Sequence, residues 1–178
     1  MLFISAGHHN NDTGAVNALG VQENNLTIQL RNKVIAILKA KKMPFINDND
    51  DENLATYLRR IIPGNASVTC EFHFDMANTK ASGSTAIVAQ YANKNSIAFA
   101  DELSSTTAKI LGIKNRGVKS ETETNRGRLG LMRKDGIVAL LEVCFIDNVN
   151  DMASYTKNID ALAAAYADIL MKYENLIN

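Results

Sequence analysis

Ile137-Val138-Ala139-Leu140-Leu141-Glu142-Val143-Cys144-Phe145 is apolar at every position but one. A half-buried strand alternates apolar and polar residues, whereas an unbroken run of this length fits a strand covered on both faces. Such strands are typical of parallel sheets, whose crossover connections are usually helices. The flanking sequence has that rhythm. Leu2 to Ala6 is a short apolar strand ending at Gly7. Leu26, Leu30, Val34, Ile37 and Leu38 then recur at helical spacing and predict a helix from Glu23 to Lys42, stopped by Pro44. Phe45-Ile46 opens a second strand before the polar loop Asn47 to Asp51, and Leu54, Leu58, Ile61 and Ile62 mark a second helix closed by Pro63-Gly64.

Farther on, Ser67 to His73 and Thr85 to Tyr91 read as strands, and Ser96 to Leu111 as a helix capped by Gly112. Leu129 to Arg133 is predicted as a short strand, and two helices, Asn150 to Tyr155 and Ile159 to Tyr173, close the chain. The order argues for an α/β fold: a single domain whose mostly parallel, twisted sheet is flanked by helices on both faces. Repeats, low-complexity tracts and an interdomain linker are absent from the 178 residues.

Composition narrows the function. With 46% hydrophobic and 21% charged residues the chain can bury one proper core. Nineteen Lys plus Arg balance nineteen Asp plus Glu, so no broad field draws nucleic acid. No apolar run is long enough for membrane insertion. The opening Met1-Leu2-Phe3-Ile4-Ser5 lacks the basic start, long apolar stretch and cleavage site of a secretory signal, which points either to a trimmed chain or to synthesis in the cytoplasm with release by another route. Cys70 and Cys144 are too few for a disulfide framework and lie in apolar runs, so buried thiols are expected.

Sites in open α/β sheets form beyond the carboxyl ends of the strands. His8 follows the first strand, Glu23 opens the first helix, and His73 ends the strand from Ser67. Glu142 interrupts the apolar run, where an uncompensated carboxylate is costly. Two His and one Glu suit a catalytic zinc with its fourth position left to water. Zinc lowers the pKa of such a water to about 7 and polarises a neighbouring carbonyl. A base that is not a ligand is then needed, and Glu142 fits.

Each residue also has a plainer reading. A His at a strand end is commonly a hydrogen-bonded structural group, and Glu23 is favoured in a first helical turn by the dipole. Glu71, two residues before His73, faces the same side of its strand and is a rival base or ligand. Asp12 reads as a turn residue beside Gly14.

A resemblance singles out the four. Ile4-Ser5-Ala6-Gly7-His8, followed by Asp12-Thr13-Gly14-Ala15, Gly20, Glu23 and Leu26, resembles the opening of the zinc-dependent N-acetylmuramoyl-L-alanine amidases, a family of bacterial autolysins and phage endolysins. Phe72-His73 before a loop with Gly83 resembles its second histidine motif, and Asn115-Arg116-Gly117-Val118-Lys119 its Arg-Gly-Val-Lys segment. Leu131-Met132-Arg133 with Ala139 to Asn148 resembles its closing block, which carries the catalytic glutamate.

The resemblance implies a peptidoglycan substrate and hydrolysis of the amide between the lactyl group of N-acetylmuramic acid and L-alanine of the stem peptide. It implies Zn2+ held by His8, Glu23 and His73, and Glu142 as the group that moves the proton. Residues 1–178 then read as the catalytic domain, with no separate wall-binding domain. The pattern departs in places: His9 and Cys144 stand where small residues are frequent, and Asp75 where Asn is frequent. His9 is therefore left at the rim. The basic stretch Arg116, Lys119, Arg126 and Arg128 reads as a solvated loop or a contact for stem-peptide carboxylates, and Arg133 as the better candidate to steady substrate. Without a signal, a phage endolysin released through a membrane pore is favoured over a mother-cell autolysin. A zinc peptidase cutting within the stem peptide and a catalytically silent wall-binding module are the alternatives.

Overall fold

The computed structural model describes residues 1–124 and 127–177. The chain runs through β1 (Leu2–Ala6), α1 (Glu23–Ala40), β2 (Phe45–Asn47), α2 (Leu54–Arg60), β3 (Val68–Asp75), β4 (Ser84–Val88), α3 (Lys94–Leu111), β5 (Asn115–Ser120), β6 (Ile137–Phe145) and α4 (Val149–Ile177), with short 3₁₀ turns at Glu121–Glu123 and Leu131–Arg133. The six strands form one sheet in the order β2-β1-β3-β6-β4-β5. All pairings are parallel except β4 against β6. The α/β architecture with a mostly parallel sheet is therefore the one the apolar runs predicted. β6 lies inside it, buried at all nine positions.

Three predicted elements differ. Leu129 to Arg133 is no strand: Leu131 and Met132 are adjacent and both pack onto the sheet, which a strand with its two-residue period cannot do. The two closing helices are one, of 29 residues. The polar Thr156-Lys157-Asn158 stretch that suggested a break stays helical, with Asn158 Nδ2 donating to Ser154 O (2.9 Å). Arg116 and Lys119, part of the basic stretch for which a solvated loop is one reading, lie instead on an edge strand, Asn115 to Ser120, parallel to β4. Edge strands carry charge without penalty because one side stays wet.

Alternation along the strands sorts the sheet into two faces. Leu2, Ile4, Cys70, Phe72, Ala139 and Leu141 face a layer of α1, α4 and α3. Phe3, Ile87, Val138 and Leu140 face the other way, under the short α2 (Tyr57, Ile61) and the 3₁₀ turn with Leu131 and Met132. Helices thus cover both faces unequally. Ser5, Glu71, His73 and Glu142 share the thinner side, toward the carboxyl ends of β1, β3 and β6. Both cysteines are free and buried. Among the described residues no helix is long and apolar enough to cross a membrane.

Candidate metal centre

β1 ends at Gly7, whose N–H donates to Phe72 O (2.7 Å) and whose carbonyl accepts from Thr27 Oγ1 of α1 (2.6 Å). The chain then turns through His8 at φ 69°, a conformation that side-chain-bearing residues seldom adopt. Surrounding bonds impose it: Asn24 Nδ2 donates to His9 O (3.0 Å) and Asn10 N to Asp50 O (2.8 Å). Asp50 and Asp48 are gripped by Arg31 of α1, which is 2% exposed and reaches Asp48 Oδ1 at 2.6 Å. Asp48 Oδ2 also accepts from Ala6 N (3.2 Å). One buried guanidinium therefore ties the loop after β2 to the end of β1, and the His8 turn hangs from both.

Glu23 is the first residue of α1, so its side chain emerges beside the strand ends. Its Oε1 accepts from Phe74 N (3.0 Å) and faces His73 Nδ1 at 2.9 Å. Its Oε2 accepts from Ala15 N (2.9 Å) and faces His8 Nε2 at 3.1 Å. The two imidazoles stand edge to face, 5.2 Å between centroids. Each has a second carboxylate on its outer nitrogen: Asp12 Oδ2 on His8 Nδ1 (2.9 Å) and Glu71 Oε1 on His73 Nε2 (3.1 Å).

Electrostatics follow from this packing. Burial alone would lower the pKa of His73, but hydrogen bonds to Glu23 and Glu71 and the charges of Glu71 and Glu142 raise it to about 10. His8 moves the same way, burial being outweighed by Glu23 and Asp12. Burial would raise Glu23, yet the two imidazoles hold it well below the usual carboxylate range. The cluster is a place where positive charge is wanted.

A divalent cation fits the donor set. One ligand atom each from His8, Glu23 and His73 lie within 4.8 Å of one another. Two imidazoles and a carboxylate are a catalytic-zinc combination. Two glycines leave the room. A Cβ on Gly7 would stand 2.3 Å from His73 Cε1, and one on Gly14 2.5 Å from His8 Cδ2 and 2.7 Å from Glu23 Oε2.

Glu142 is 3% exposed on β6, directly opposite His73 in the β3–β6 register. It thus stands beside the three converging side chains without being one of them. Arg133 does not join them: it is exposed on the 3₁₀ turn that precedes β6. Arg116 is on β5, stacked over the Phe145 ring (5.1 Å) and donating to Ser82 O (3.3 Å). Lys119 shares that strand, Arg128 is exposed, and Arg126 lies outside the described residues. Asp75 Oδ1 accepts from Met76 N (2.9 Å), and its carbonyl accepts from Ile146 N (2.8 Å). His9 borders the cavity of about 430 Å³ that opens beside the cluster and reaches the start of α2.

A family model described as N-acetylmuramoyl-L-alanine amidase matches residues 2–172. The chain belongs to that family. Among solved structures, this amidase is similar to an N-acetylmuramoyl-L-alanine amidase from Clostridium difficile 630, at TM-score 0.83 and 18% identity, covering 98% of this chain and 96% of that one. It is similar to the catalytic domain of CwlV, an N-acetylmuramoyl-L-alanine amidase from Bacillus (Paenibacillus) polymyxa var. colistinus, at TM-score 0.76 and 22% identity, covering 99% and 98%. The catalytic domain of the CD27L endolysin targeting Clostridia difficile gives TM-score 0.75 and 18% identity, covering 96% of each chain. These likenesses speak for the fold. Comparison with the curated proteins gives no match.

Sequence reasoning missed the supports of this site. Arg31 had a signal, since a charged residue sits on the buried stripe of Thr27, Leu30, Val34 and Leu38 in the amidase's first helix. Asp12, read as a turn residue, does accept from Gly14 N (3.2 Å), but it also holds His8.

Proposed function

We propose that this amidase is zinc-dependent, that His8, Glu23 and His73 are the protein ligands, and that Glu142 is the catalytic proton carrier. The bond cleaved is the amide joining the lactyl group of N-acetylmuramic acid to L-alanine of the stem peptide. The observation that carries the reading is the convergence of two imidazoles and a carboxylate within 4.8 Å, with a second buried carboxylate directly across the strand pair.

When bound, zinc supplies an acidified water and polarisation of the scissile carbonyl. The chain's own residues do the rest. Glu23 and the two imidazoles present three donors on one side, leaving the other side to water and substrate. Glu142 takes the proton of the attacking water and delivers it to the L-alanine nitrogen as that bond breaks. The cavity beside His8 and His73 gives the substrate its approach.

We further propose an endolysin's role, synthesis in the host cytoplasm and action on the wall after release; the shared fold of the CD27L catalytic domain accords with it. The reaction is tested by digesting purified peptidoglycan with and without a chelator and weighing the products. Stem peptides with a new free L-alanine amine, lost with chelator and restored by zinc, support the reading. Fragments cut within the stem peptide, or activity indifferent to the chelator, reject it. For the biological role, cytoplasmic expression should leave cells intact until their membrane is permeabilised, and lysis without permeabilisation rejects it.

A further inference from the structure

Glu71 is buried, 2% exposed, on the site face of β3. The family reading leaves it without a task, and a buried carboxylate is expensive unless its lone pairs are engaged. Both oxygens are. Oε1 meets His73 Nε2 at 3.1 Å, and Oε2 accepts from Ser5 Oγ at 2.9 Å across the β1–β3 pairing, where Ser5 and Glu71 are register partners. Glu71 therefore turns away from the three converging donors and toward the back of one of them, which argues against its being a fourth ligand or the base.

We infer that Glu71 is a positioning residue that makes His73 bind the metal through Nδ1, with Nε2 kept as the outward N–H donor. The inference rests on the metal-binding part of the proposed function. Its physical basis is the symmetry of an imidazole under a half-turn about its bond to Cβ. Such a turn exchanges Nδ1 with Cδ2 and Cε1 with Nε2, so the ring occupies nearly the same space. Gly7, against which the ring packs, fixes the plane but cannot choose between the two orientations. The carboxylates can. As placed, His73 puts one nitrogen on Glu23 Oε1 (2.9 Å) and the other on Glu71 Oε1; turned over, it would offer two carbons and lose both bonds. A carboxylate on the outer N–H also makes the inner nitrogen the better electron donor.

Asp12 stands in the same relation to His8, whose inner nitrogen is Nε2. Its side chain is 54% exposed, so water competes for that bond and its effect is the weaker one. The pair predicts a mixed ligand set, Nε2 from His8 and Nδ1 from His73.

The test is zinc titration of the intact chain against a competing chelator, with long-range 1H–15N spectra of the imidazoles in the zinc-loaded protein. In the wild type, His73 is expected to show a metal-bound Nδ1 and a protonated Nε2. Glu71→Leu should weaken zinc binding about 10–100-fold, the usual cost of losing such an outer partner, and mix the two nitrogen signatures. Glu71→Gln keeps a carbonyl acceptor and should retain most of the affinity. Ser5→Ala, a smaller change that serves if Glu71→Leu does not fold, should cost a few-fold. Thermal unfolding in chelator separates general destabilisation from loss of metal. Nε2 ligation by His73 in the wild type, or wild-type zinc affinity in both Glu71→Leu and Ser5→Ala, overturns the inference while leaving the amidase reading intact. A wild-type chain that binds no zinc sinks the metal reading itself.

Discussion

Replacing Gly7 by alanine adds one methyl group at the point where β1 meets His73. The built Cβ lies 2.3 Å from His73 Cε1 and 2.5 Å from both ring nitrogens. Ordinary carbon–carbon contact begins near roughly 3.5 Å, so the ring must retreat by about 1.2 Å. Metal–ligand distances tolerate about 0.2 Å, so a displacement of that size removes His73 from a shared coordination sphere. The backbone is not the difficulty, because Gly7 is absent from the left-handed positions at which an L side chain would be strained. We therefore expect Gly7→Ala to fold with a loss of about 1–3 kcal/mol from overpacking. Zinc affinity should fall by more than about 100-fold, beyond the cost of losing an outer hydrogen-bond partner.

The assay is chelator competition for zinc, paired with thermal unfolding in chelator. Gly112→Ala is the control: unlike Gly7, Gly112 sits at a positive φ of 65°, and nothing lies within 4 Å of the added methyl. It should cost about 1–2 kcal/mol of stability through the left-handed conformation and leave zinc binding alone. A folded Gly7→Ala protein that holds zinc as tightly as the wild type would refute the reasoning.

Other outcomes follow from the same geometry. Glu142→Gln should keep zinc affinity near wild type in the same competition assay and lose about 10²–10⁴ in the rate of peptidoglycan hydrolysis, the usual worth of a positioned acid–base group. Arg31→Met leaves the Asp48 carboxylate buried without its guanidinium, and should lower stability by about 3–5 kcal/mol in denaturant unfolding. Because the carboxylates raise His73 to about 10, the metal-free site is protonated at neutral pH and zinc must displace that proton. Zinc affinity should accordingly rise with pH from 6 to 8, by about tenfold per unit for each proton expelled, and calorimetry in buffers of different ionisation enthalpy should show proton release. An affinity flat across that range would mean the imidazoles are already neutral.

The strands and helices that build the site were legible because burial writes a period into the sequence. The continuous run at β6 and the spacing of Leu30, Val34 and Leu38 in α1 each have one physical reading. β5 was not legible, because an edge strand needs no apolar alternation, nor was the continuity of α4 through its solvent-facing Thr156 and Lys157. His8, Glu23 and His73 are distant in sequence, and only a resemblance could pair them before the fold did. What surrounds them was hidden for another reason. Arg31, Asp12 and Glu71 act through hydrogen bonds to residues far along the chain or on an adjoining strand, and no local pattern encodes such contacts. Arg133 was expected on a strand leading toward the site, and that segment is instead a 3₁₀ turn on which Arg133 is exposed.

The most direct measurement is anomalous diffraction at the zinc edge from crystals grown with one equivalent of zinc. A single peak in contact with His8 Nε2, a Glu23 oxygen and His73 Nδ1 is the predicted result. A peak bound elsewhere, or none at these three side chains, would contradict the account.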